Sequence, residues 1–291
     1  MALHPGRCAR VGLVIAVAVS HAVLSRVDAW VAVAIDHRLI KALHVETLRQ
    51  QDLHAEREPH VLFQASTFEA LLESNYDGEV SFAELAEHGD LGLGTFDAVD
   101  GEMIAVDGEF FRAAADGRVG PVEPSRKTPF AVVTFFDPTH RFELEEPLGH
   151  GELIAALDAR LGDPSTAHAL RVDGRFERVH GRSVPRQRKP YPPMTEVAAR
   201  QRVFDLEDVE GTVVGFRFPD YAGGINVPGY HLHFVTDDRR RGGHVLKCSP
   251  AGVTVRVDDS VDVHAELPAG IELTSPEATS QEALDRVEHR D

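Results

Sequence analysis

The sequence predicts an α/β (α+β) fold built on mixed β-sheet, and three observations carry that prediction. Apolar runs of strand length alternate with short segments of helical period. Asp-Gly pairs at 100–101 and 107–108 interrupt the apolar runs, which is the chemistry of tight hairpins. The order of elements in the first half is echoed in the second, which suggests an internal duplication. With 43% apolar and 26% charged residues among 291, the chain can bury a sizeable core.

From residue 61 the elements can be read in order. "VLFQAS" reads as a strand. "STFEALLESN" reads as a helix, with Ser66 or Thr67 as its cap and Phe68, Leu71 and Leu72 at helical spacing. In "YDGEVSFAELAEHGD" a turn leads to a second helix, and Ser81 with Glu84 three residues later forms a capping box. "LGLGTFDAVDGEMIAVDGEFFRA" gives strands joined at the two Asp-Gly pairs. Gly92 and Gly94 do not make a phosphate loop, because no Lys-Ser/Thr follows them. Thr95 beside them reads as structural, with contact to substrate as the alternative. "PFAVVTFF" is an uncharged buried strand, and "GELIAALDARLG" is an amphipathic helix with Leu153, Ile154, Leu157 and Leu161 apolar.

"HGRSVPRQRKPYPPM" reads as a Pro- and Arg-rich loop between the halves, with Arg186 and Arg188 at the surface. "PMTEVAARQRVFDLEDVEGTVVGFRFP" then reads as helix, acidic turn and apolar strand, and the tail "PEATSQEALDRVEHRD" as a short helix.

The first 60 residues differ from the rest. Arg7 and Arg10 precede an apolar run over 11–19 and then Ser20-His21-Ala22, the layout of a secretory signal peptide. The run is too short to span a membrane. The competing reading is an amphipathic or poorly ordered extension, since residues 29–51, with Trp30 as a packing residue, continue in a helix-like pattern. We adopt the second reading, with a cytoplasmic location expected and export as the alternative.

Composition narrows the function. The count of 47 acidic against 30 basic side chains, a formal charge of −17, argues against a nucleic-acid partner. Cys8 and Cys248 are the only cysteines, so neither a disulfide framework nor a cysteine knuckle can form. A metal would have to use His and carboxylates.

"GYHLHFVTDDRRRGGHV" supplies such a set. Tyr230, Leu232 and Phe234 alternate with His231 and His233, so on a strand both imidazoles face one side. A polar turn precedes a returning strand that starts at His244. The hairpin brings the third imidazole beside the pair. Three neutral imidazoles on adjacent strands form one face of a metal site with open positions. The Asp237-Asp238-Arg239-Arg240-Arg241 run reads as a solvated turn.

These stretches together resemble the alpha-acetolactate decarboxylase family. The matching segments are "YDGEVSFAELAEHGDLGLGTFDAVDGEMI", "TPFAVVTFF", "GRSVPRQRKPYPP", "EGTVVGFRFP" and "GINVPGYHLHFVTDDRRRGGHVL", within roughly residues 61–290. The resemblance implies a two-lobed fold with a structural duplication. Domains follow as an extension over 1–60, a first lobe over 61–180 and a second lobe over 181–291 carrying the histidines. It implies decarboxylation of 2-acetolactate to acetoin, with Zn2+ held by His231, His233 and His244 and the site completed by Glu102. It further implies Arg182 at the active site and a catalytic glutamate from the C-terminal helix. That residue is placed at Glu288, with Glu282 as the weaker candidate. A homodimer is compatible with this reading.

The chemistry agrees with the residue types. Loss of CO2 from a β-keto acid leaves two electrons that delocalise onto the ketone oxygen as an enediolate, which a zinc Lewis acid would stabilise. No flavin, thiamine or pyridoxal signature is needed. The rival reading is a cupin-like metal-dependent module. Cupins place a Glu three or four residues after H-x-H, and Thr236-Asp237-Asp238 stands there instead. A catalytically dead relative is a second rival, which the complete histidine set argues against.

Overall fold

The computed structural model describes residues 44–48, 59–260, 262–267 and 287–288. Strands β1 (His44–Leu48) and β2 (Val61–Ala65) precede helix α1 (Phe68–Leu72), strand β3 (Val80–Ser81) and helix α2 (Phe82–Leu85). A meander of β4 (Leu91–Thr95), β5 (Glu102–Val106), β6 (Glu109–Ala113) and β7 (Val119–Pro121) follows. Next come β8 (Lys127–Thr128), β9 (Ala131–Thr134), β10 (His140–Leu144) and helix α3 (His150–Leu161). The second half holds β11 (Ala167–Ser183), helix α4 (Met194–Ala199), β12 (Arg202–Phe218), β13 (Gly229–Thr236), β14 (Gly242–Ser260) and β15 (Asp262–Glu266).

Local chemistry sets many of these boundaries. Thr67 caps α1, its hydroxyl accepting from the Ala70 N–H at 3.2 Å. The Ser81/Glu84 capping box is present in full at α2. Asp107 at φ 54° and Gly108 at φ 76° both turn left-handed, which suits the two-residue hairpin joining β5 to β6. A Cβ at Gly94 would stand 2.4 Å from the Phe130 carbonyl oxygen, so this glycine permits close approach of backbones and no nucleotide loop is needed to explain it.

Two sheets result. One runs in the order β1-β15-β2-β9-β4-β5-β6-β7, and the other β10-β14-β11-β12-β13, with β13 also pairing to β14. That extra pairing closes the second sheet on itself around β11, β12, β13 and β14. Period-two alternation sorts the side chains into layers. Ile104 and Val106 of β5 pack between the sheets, with Phe216 and Val235. Met103 and Ala105, one residue out of phase, pack on the outer face of the first sheet with Phe82 and Leu85 of α2. Leu153, Leu157 and Leu161 of α3 cover the outer face of the second sheet, over Leu232 and Phe234. Glu102 shares the phase of Ile104, and His231 and His233 share the phase of Val235. Alternation alone therefore aims these polar side chains into the space between the sheets.

Three expectations need correction. Residues 44–48 form a strand in parallel register with β15, where a helix-like pattern was read. Val45 and Thr47 are β-branched, and tertiary pairing overrides a weak helical period. The acidic run at 205–210 lies within β12. Its charges are matched across the ribbon, with Arg175 to Asp208 at 2.6 Å and Arg178 to Asp205 at 2.9 Å. Residues 181–183 belong to β11, so Arg182 sits on a strand, opposite Val203 and His244, rather than in a proline-bounded loop. The signal-peptide pattern, Trp30, Glu282 and most of the tail lie outside the described residues. Among the described residues, no helix is long and apolar enough to cross a membrane.

Candidate active site

The site is assembled from strand ends of both sheets. On β13, His231 and His233 alternate inward, and His233 pairs directly with His244 at the start of β14. His244 in turn pairs with Arg182 of β11. The three imidazoles are buried, and their ligand nitrogens all lie within 4.8 Å of one another. Ring centroids are 5.1 to 5.3 Å apart. Glu102 reaches the cluster from β5, its Oε2 lying 3.7 Å from His233 Nε2. Glu288 reaches it from the C-terminal segment, where Val287 and Glu288 are helical. Its Oε2 lies 3.6 Å from His231 Nε2 and 3.7 Å from His244 Nε2.

Arg182 links the two carboxylates. Its Nη1 donates to Glu102 Oε1 at 3.0 Å, and its Nη2 lies 3.7 Å from Glu288 Oε1. Nη2 also donates to the Val287 carbonyl at 3.1 Å, which ties the tail to the strand. Opposite these polar groups, Phe68, Leu71, Val99, Phe130, Val184 and Met194 form the apolar wall of the same cavity. A charged cluster against an apolar wall is a low-dielectric setting in which each polar contact strengthens.

Burial sets the protonation states. It drives His233 and His244 well below the usual imidazole range. The neighbouring His231 adds to this at His233, and Arg182 adds to it at His244. Both rings are therefore neutral at physiological pH, the form that binds metals. Burial pushes the Glu102 carboxyl up to about 7. Glu288 adds to that shift, and Arg182 opposes it.

The donor set fits a metal ion. The neutral His233 donates from Nδ1 to the Met103 carbonyl at 2.7 Å, leaving Nε2 as the ligand atom. His233 Nε2 and His244 Nδ1 are buried without a hydrogen-bond partner. Buried imidazole nitrogens rarely stay unpaired, and a bound cation would satisfy them. His231, His233 and His244 could thus hold a metal ion, as the hairpin spacing anticipated.

All six site residues expected from the sequence meet here. Sequence reasoning missed the Met103 carbonyl, a backbone atom that leaves no mark in residue identity. It also missed the apolar wall, which looks like ordinary core until its polar neighbours are known. The Thr95 hydroxyl donates to the Gly101 carbonyl at 2.8 Å, a structural contact, and Thr95 also lines the cavity.

A mixed α/β fold in which a buried three-histidine cluster adjoins a cavity lined by an arginine and two carboxylates defines an enzyme with a candidate metal centre. The profile of the alpha-acetolactate decarboxylase family matches residues 62–276. Among its relatives, the alpha-acetolactate decarboxylase of Methylococcus capsulatus is 47% identical over 236 residues. The match covers 81% of this chain and 91% of that one. The Klebsiella aerogenes enzyme of the same name is 44% identical over 201 residues, covering 69% and 76%. The crystal structure of alpha-acetolactate decarboxylase from Bacillus subtilis superposes with a TM-score of 0.76 at 35% identity. It covers 79% of this chain and 100% of that chain. The chain belongs to the alpha-acetolactate decarboxylase family, and with it to the carboxy-lyases.

Proposed function

We propose that this protein decarboxylates 2-acetolactate to acetoin and CO2, with zinc held by His231, His233, His244 and Glu102. One observation carries the reading: three buried imidazoles, two of them held neutral, converge beside an arginine that spans two carboxylates. A zinc ion held there would supply Lewis-acid stabilisation of the charge that develops on the ketone oxygen.

The other steps belong to side chains. Arg182 offers a planar fork of donors suited to the substrate carboxylate and then to the charge left behind. The C–C bond to the carboxylate breaks, CO2 departs, and the electron pair is retained as an enediolate. A proton must then reach the former C2, on one face, because acetoin is chiral. Glu288 is the acid for that step, 3.6 Å from His231 and 3.7 Å from Arg182. Glu102 holds Arg182 in line. The apolar wall of Val99, Val184 and Met194 suits the two methyl groups of the substrate and keeps water from the reacting carbon.

Metal analysis of the purified chain together with an acetoin assay tests the proposal. About one zinc per chain and acetoin release are expected. A chain free of metal after purification in zinc-supplemented buffer, or one with metal and no acetoin release, would falsify it.

A further inference from the structure

Between β4 and β5 the backbone is strained. Ala98 lies at φ 59°, Val99 at φ 50° and Gly101 at φ 92°. Left-handed backbone is uncommon in any non-glycine residue, and for the β-branched Val99 it is a genuine outlier. Such a conformation persists only where its surroundings over-determine it.

The surroundings here centre on Asp100, whose side chain is 15% exposed. Arg112 Nη2 donates to Asp100 Oδ1 at 2.5 Å, and Arg126 Nη2 donates to Oδ2 at 2.9 Å. Arg186 Nη1 lies 3.7 Å from Oδ2. Arg112 also donates from Nε to the Asp100 carbonyl at 2.7 Å. On either side, the Ala98 N–H donates to the Tyr76 carbonyl at 2.8 Å, and the Gln187 N–H donates to the Ala98 carbonyl at 2.7 Å. The turn so held ends at Glu102, and Val99 within it lines the cavity.

We propose that Asp100 is a positioning residue. By gathering Arg112, Arg126 and Arg186 it holds the left-handed Ala98-Val99 turn in place. It thereby sets where Glu102 and Val99 stand in the site. The three guanidiniums come from β6, the loop before β8 and the segment after β11. Arg186 is four residues beyond Arg182. One carboxylate thus couples the turn that carries Glu102 to the chain that carries Arg182. Asp100 itself contacts neither the histidines nor the cavity. The inference rests on the decarboxylase reading for its measure of turnover.

Asp100→Asn keeps the side-chain size and removes the charge that gathers the guanidiniums. Acetoin formation is followed on the full, metal-loaded chain well below its Tm. The variant is expected to lose about 10- to 10²-fold in kcat, with KM changed far less, as misplacement of a reacting group does. Ala98→Gly in that background lets the turn keep its shape with less support, since glycine takes positive φ without steric cost. That double variant is expected to recover kcat several-fold. If Asp100 only supports the fold, Asp100→Asn lowers Tm and leaves kcat unchanged, which overturns the proposal. A double variant whose Tm recovers while kcat does not also overturns it. Should Asp100→Asn fail to fold, Arg126→Gln removes one guanidinium of the three and is expected to give a smaller loss of kcat. Unchanged kcat in that variant overturns the proposal. Failure of the underlying reading is separate, because the unsubstituted chain would then release no acetoin.

Discussion

Arg182 donates to Glu102 across the space between the sheets, N to O at 3.0 Å, with both side chains buried. An ion pair in so dry a setting is held by geometry, and its value to stability is small once desolvation is counted. Its value to chemistry is orientation.

Arg182→Lys is therefore expected to keep the fold and the metal and to lose about 10²–10³-fold in kcat, the cost of removing one preorganised donor. An ammonium cannot donate to Glu102 and the Val287 carbonyl in the same planar arrangement. Circular dichroism and zinc content check the fold and the site. Wild-type turnover in this variant would show that the fork is not required.

Replacing His231, His233 or His244 singly with Ala should lower zinc content sharply. The affinity loss should be at least the about 10–100-fold that loss of an outer-shell partner costs. Elemental analysis after dialysis against a competing chelator measures it. Because metal binding is linked to folding, the same variants should show a smaller zinc-dependent rise in Tm. Full zinc occupancy in all three variants would remove the histidines from the metal site.

What could be read from the sequence was local. The Ser81/Glu84 capping box, the Asp107-Gly108 hairpin and the His231–His233 alternation each depend on residues within a few positions, and each formed as read. The His233–His244 pairing followed from a polar turn between two strands. The misread features depend on distant partners. The acidic run of β12 reads as a turn until Arg175 and Arg178 of β11 lie beside it. Arg182 reads as a loop residue until β14 is seen to pair with it. Glu102 is an ordinary hairpin residue until a second sheet, some 80 positions along the chain, brings Arg182 to it. The resemblance to the family supplied that long-range assembly, which periodicity cannot.

Stability should also carry a pH signature away from the site. The His60 imidazole is raised above 6.5, chiefly by its hydrogen bond to the buried Asp258 carboxylate at 2.6 Å, with burial opposing. A raised folded-state value means that stability from this pair is complete below the unfolded histidine value of about 6.5 and is lost as pH rises through the folded value. His60→Gln should therefore lower the urea midpoint more at pH 6 than at pH 8.5. Comparison with the parent chain at each pH cancels the opposite slopes expected from His88 and His168, which burial lowers. An equal loss at both pH values would mean that His60 does not titrate against Asp258.

The tail offers the most direct test of the acid. Val287 is 2% exposed and Glu288 3%, so these residues are docked although they lie close to the chain end. Val287 packs into the core between the sheets. Its carbonyl accepts from Arg182, and the Glu288 carbonyl lies 3.2 Å from His244 Nε2. Truncation after Glu282 removes all of these contacts together with the carboxyl. Of the described residues, the truncation removes one buried valine from the core, worth about 1.5–3 kcal/mol of stability. Turnover should fall much further, by the about 10²–10⁴-fold that a positioned general acid contributes. Glu288→Gln separates the two effects, since it keeps the Val287 anchor and the backbone contacts while removing the proton. It should match the truncation in lost acetoin formation, and its Tm should stay near that of the parent. Zinc content measured alongside shows whether the carboxylate also supports the metal. If both variants keep their zinc and form acetoin at the parent rate, the proton comes from elsewhere. Glu102, its carboxyl already pushed up to about 7, is then the first residue to replace.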